Sequence, residues 1–75
     1  MKAILEFNLP EDKVDHYHAI NGINYSLVLW DLDQWLRGII KYNPDGYSGK
    51  EIEAYQRVRD KLNTLMDDYN VTYEP

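Results

Sequence analysis

Asp31 and Asp33 stand two residues apart in the stretch LVLWDLDQW, residues 27–35. Paired carboxylates are what a general acid and base, or a magnesium site, would require. The surrounding apolar residues repeat with helical spacing. On a helix, positions i and i+2 are separated by about 200°, so the two carboxylates fall on opposite flanks and cannot share a metal. They read as solvated acids of a helix. His16 and His18 fail as a metal pair for the same reason, and only Asp12 or Asp15 could help them. Gly46-x-x-Gly49-Lys50 lacks both the spacing of a phosphate loop and a preceding strand. Two histidines in one short helix leave no Ser/His/Asp set to assemble. With no cysteine there is no disulfide and no thiolate metal site. The expectation is a protein without catalysis, metal or cofactor.

Two of these stretches resemble known motifs. Residues 27–33 resemble the first motif of haloacid-dehalogenase phosphatases, an apolar strand ending in D-x-D. That resemblance implies a nucleophile and an acid/base acting on a magnesium-bound phosphate. The family pattern continues with Thr or Val, whereas this chain continues Gln34-Trp35-Leu36, and 75 residues cannot hold that fold. Asn43-Pro44-Asp45-Gly46-Tyr47 resembles an EF-hand loop. Setting Gly46 at the required glycine puts Asn43 and Asp45 at ligand positions, but Lys41 and Ile52 then occupy the first and last, where acids are required. A plain turn is the expectation there.

The elements that would carry these residues follow from periodicity. Residues 24–42, NYSLVLWDLDQWLRGIIKY, form the longest periodic segment, and it predicts a central helix. A wheel centred on Leu32 gathers Tyr25, Val28, Leu29, Leu32, Trp35, Leu36 and Ile39 on one face, with Ile40 and Tyr42 at its margins. Asn24 could cap its start, and Asn43-Pro44 stops its end. Leu27 and Trp30 lie off that face, beside Gln34 and Lys41, so either another element or a partner must cover the Trp30 ring. Pro10 and the acids after it predict a short first helix to about Ile20, closed by Asn21-Gly22 with Gly22 as a left-handed cap. Ser48 and Glu51 have capping-box spacing before a third helix from about Gly49 to Tyr69. Its expected buried stripe is Tyr55, Val58, Leu62, Leu65, Met66 and Tyr69, and Asn70 could end it. Residues 2–7, KAILEF, and residues 71–74, VTYE, read as short strands able to pair. The predicted fold is therefore a single α+β domain over residues 1–75, mainly helical, in the order β-α-α-α-β.

Composition narrows the class of partner. The net charge is −5, which disfavours direct contact with nucleic acid or an anionic membrane and suits a basic protein surface. No apolar run approaches the ~18 residues of a membrane span, and the N-terminus lacks the apolar segment of a signal peptide, so a soluble intracellular protein is expected. Leu-Pro-Glu near the N-terminus, Tyr25-Ser26, the run Leu29-Trp30-Asp31-Leu32-Asp33-Gln34-Trp35-Leu36-Arg37, Lys41-Tyr42, and Val58-Arg59-Asp60-Lys61-Leu62 together resemble a group of short, uncharacterised bacteriophage proteins with an LWDxDQWLR core. The resemblance covers most of the chain and implies phage origin, expression in the host cytoplasm and no enzyme assignment. The expected function is that of an acidic accessory protein that binds and inhibits a host or host-defence protein, with its carboxylates standing in for nucleic-acid phosphates. Leu27, Trp30, Asp31 and Gln34 are the expected contact residues, and a homodimer is a further expectation. The alternative is a small-ligand or nucleotide-binding oligomer with a site between subunits, using tyrosines and Arg37 or Arg57.

Overall fold

The computed structural model describes residues 1–73, which fold into α1 (Lys13–Ile20), α2 (Gly22–Tyr42) and α3 (Gly49–Asp68). Helices α2 and α3 run antiparallel and make the main packing; α1 touches only the start of α2. The β-α-α-α-β expectation is corrected: among the described residues there is no strand. A strand exists only by sharing a ladder with another, and the two ends are held in different places. The N-terminal arm lies against α1, where the Phe7 ring sits 5.4 Å from His16. The C-terminal segment is tied to α2 instead, through Tyr73. Glu74, the last residue of the second expected strand, lies outside the described residues.

The local signals explain most of the helix ends. Asn8 donates its backbone N–H to the Asp12 carboxylate at 2.9 Å, closing a turn that delays α1 until Lys13. Asn21 joins α1 to α2 at φ −97°. The left-handed cap expected of Gly22 is absent, because Gly22 opens α2 itself. Asn24 caps nothing, since α2 has begun before it; its amide donates to the Asn21 side chain at 3.2 Å. At the other end Asn43 turns left-handed, at φ 43°, and its side chain brackets the loop by donating to the Tyr47 carbonyl (2.9 Å) and accepting the Tyr47 N–H (2.7 Å). Ser48 and Glu51 form the reciprocal capping box. Asn70 ends α3 at φ 55° in a Schellman arrangement, with Val71 N–H donating to the Met66 carbonyl at 2.8 Å and Asn70 N–H to Asp67 at 3.1 Å.

The core lies between α2 and α3 and is small. Leu36, Ile39 and Met66 are its buried apolar side chains. Asp33 is buried with them, only 6% exposed. This corrects the reading of Asp33 as a solvated acid. The inward face of α2 is Leu29, Asp33, Leu36, Ile39 and Ile40, so the true centre of its wheel is rotated by roughly 50° from Leu32. Arg59 on α3 answers the buried charge, its Nε donating to Asp33 Oδ1 at 2.9 Å and Nη2 to Oδ2 at 3.4 Å. Gln34 donates a further bond to Oδ2 at 3.3 Å. The rotation leaves Tyr25, Val28, Leu32 and Trp35 exposed, against expectation, and likewise Val58, Leu65 and Tyr69 of α3.

An unpaired buried carboxylate is costly, whereas an apolar pair of similar volume is not. Arg59→Leu should therefore lower stability by about 1–3 kcal/mol, less than for a fully buried pair because the guanidinium is partly solvated. Adding Asp33→Leu should restore most of that loss. Urea unfolding of the two single variants and the double variant, at one protein concentration, measures both steps and the coupling between them.

Candidate functional site

The side of α2 that carries Trp30 has the most specific geometry. Tyr73 crosses from beyond α3, and its hydroxyl donates to the Leu29 carbonyl at 3.3 Å. The Trp30 and Tyr73 rings meet edge to face at 5.1 Å with an interplanar angle of 80°. Ser26, Leu27, Trp30 and Tyr73 line a groove of about 170 Å³, close to the volume that takes a benzene-sized group. Trp30 remains 44% exposed. It is thus fixed on one edge and open on the other.

Of the four residues expected to form a contact, the structure brings Leu27 and Trp30 together on this groove. Asp31 is exposed on the far flank of α2. Gln34 is drawn toward the core by its bond to Asp33 and is half-buried. The sequence reading missed Ser26 and Tyr73. Ser26 was legible as the neighbour of Trp30 one turn earlier. Tyr73 was hidden because its segment read as a strand.

The electrostatics of this side are mixed. The Asp33 carboxylate holds the Arg59 guanidinium above its ordinary range, chiefly by hydrogen bonding. Burial pushes the Tyr73 phenol up, and the nearby Asp33 charge adds to the effect. The flank of α3 that adjoins Trp30 carries exposed Asp60 and Asp67, seven residues apart on one stripe. Among the described residues, no group of three or more His, Cys, Asp or Glu side chains gathers into a metal site. His18 instead shares a hydrogen bond with the Tyr25 hydroxyl at 2.8 Å.

The opposite side is aromatic and apolar. Trp35 meets Tyr55 edge to face at 5.9 Å, and Tyr55 lies 5.2 Å from Tyr47. A third feature is a groove of about 340 Å³ between the N-terminal arm and α1, lined by Leu5, Phe7, Leu9, His16, Ala19 and Ile20. Among the described residues, no helix is long and apolar enough to cross a membrane. Comparison with protein families, curated proteins and solved structures gives no match to this chain.

Tyr47 provides a pH reporter for the turn. Its hydrogen bond with Tyr55, reinforced by the field of that neighbour, pushes the phenol from 10.0 up to about 12. The folded state favours the neutral phenol, so this contribution to stability is full below the ordinary value and is lost as pH rises through about 12. Tyrosinate absorbance should show a component titrating at that upper end, and Tyr47→Phe should remove it while leaving the other tyrosines in place.

Proposed function

We propose that this chain is a non-catalytic interaction protein that docks on a basic protein surface through the Trp30 side of the hairpin and blocks its partner. The observation that carries the reading is the Trp30 ring, held by Tyr73 yet left open above a groove sized for one side chain. A rigid, half-exposed aromatic is the kind of residue that dominates binding energy, because little further ordering is required when a partner seats on it. Leu27 extends the apolar patch, and exposed Asp60 and Asp67 on the adjoining flank of α3 border it with negative charge. The net charge of −5 favours encounter with a cationic partner. Resemblance of the LWDxDQWLR core to short bacteriophage proteins supports a host or host-defence protein as the target, met in the host cytoplasm, with the acids occupying a surface that otherwise holds phosphates.

The test begins with the chain immobilised in bacterial lysate, followed by identification of the retained protein and assay of that protein's own activity. The wild-type chain should inhibit it, with affinity falling as salt rises. Trp30→Ala should weaken inhibition by about thirtyfold, the loss of roughly 2 kcal/mol expected of an anchor residue, while circular dichroism shows the helices intact. Inhibition that survives Trp30→Ala, or that is indifferent to salt, would contradict the proposal.

A further inference from the structure

The chain is too open for its size. A radius of gyration of 17.2 Å compares with about 11 Å for a compact 75-residue domain. Its accessible surface is 6623 Å², whereas a folded monomer of this mass exposes about 4,800 Å². The extended arm, residues 1–9, accounts for part of the excess of about 1,800 Å². The rest has a specific place. The apolar stripe of α2 is broader than α3 covers, and the apolar stripe of α3 is broader than α2 covers. In an antiparallel pair, residues displaced to the same sense from the inward row of each helix lie on one side of the pair. Leu32 and Trp35 of α2 are displaced to that side with Val28, and Val58 and Leu65 of α3 are displaced to it as well. These five residues are between 39% and 65% exposed. On α2 this arc carries no charge from Tyr25 to Ile39.

We infer that this side is covered by the same side of a second copy of the chain, giving a four-helix bundle. The area supports that occupant. Two copies that each hid about 1,000 Å² of the excess lying outside the arm would reach the roughly 2,000 Å² at which obligate homodimers begin. The shapes agree, since α2 has 21 residues and α3 has 20, so each presents about 30 Å of helix. Matched antiparallel helices with apolar seams are the components of such bundles. A two-fold axis also pairs like with like: an uncharged α2 stripe meets its apolar counterpart, whereas a copy docked on the Trp30 side would bring acids against acids. The inference stands apart from the basic-partner reading and leaves both Trp30 grooves outside the bundle.

Sedimentation velocity should show a species of twice the 8.9 kDa chain mass at micromolar concentration. Leu32→Asp should convert it to single chains or unfold it, and Leu27→Asp, on the Trp30 side, should leave it paired. A second readout does not depend on a folded variant. In Trp30→Phe the remaining indole is Trp35, and acrylamide should quench it several-fold less than free tryptophan. In Trp35→Phe the remaining Trp30 should be quenched readily. A single-chain species at every concentration, a pair untouched by Leu32→Asp, or a Trp35 as accessible as Trp30 would each overturn the inference. Loss of partner inhibition in Leu27→Asp with the pair intact would separate the two surfaces.

Discussion

The Asp33 carboxylate, buried at the seam between α2 and α3, is the constraint on which the rest of the structure depends. A charge at that depth is tolerated only with a partner and hydrogen bonds, and Arg59 and Gln34 supply them. Satisfying Asp33 fixes how α2 is rotated about its axis. It also fixes the register of α3, because Arg59 has to lie opposite. With Leu36, Ile39 and Met66 the only buried apolar side chains among the described residues, packing alone would specify that register weakly. One polar contact among few apolar ones is a recognised way of selecting a single arrangement from several of similar burial.

That rotation divides the hairpin into two unlike sides. Turning Asp33 inward carries Val28, Leu32 and Trp35 outward on one side and Trp30 outward on the other. The first side is broad, apolar and continuous across both helices, which suits a large dry contact. The second is narrow, carries one fixed aromatic and has acids at its margins, which suits a hot spot with a charged rim. Tyr73 matters to the second side only, where it holds the Trp30 ring by its edge and anchors the end of the chain to the Leu29 carbonyl. A bundle formed on the first side would present the second twice, so that one assembly could engage two copies of a partner or two sites on one.

Much of this was legible in the sequence where a single residue type has a local job. Ser48 with Glu51, Asn43 before Pro44, and Asn70 act on backbone groups within a few positions, and each ends or begins a helix as its chemistry requires. The α2 stripe was legible as an apolar set, from Tyr25 to Ile39, but its allocation was not. A wheel treats every charge as outward, and so placed Asp33 in solvent and Leu32 at the centre. The signal that could have corrected it is that Asp33 lies between Leu29, Leu36 and Ile40 on one row, and Arg59 between Tyr55, Leu62 and Met66 on another. Opposite charges in matching inward rows point to a pair. The terminal strands were misread because alternation in residues 2–7, and β-branched and aromatic character in residues 71–74, state only that a strand would suit those residues. Whether it finds a ladder is decided by where the helices leave the two ends.

The central claim is that the helical pair is incomplete as a single chain and is finished by a second copy. Thermal unfolding followed across a hundredfold range of protein concentration tests it most directly. If folding and pairing are coupled, mass action must make the midpoint depend on concentration. The account predicts a Tm that rises steadily with concentration and a transition that loses helix and pairing together. A Tm that stays constant over the whole range, with full helix content at the lowest concentration, would contradict it.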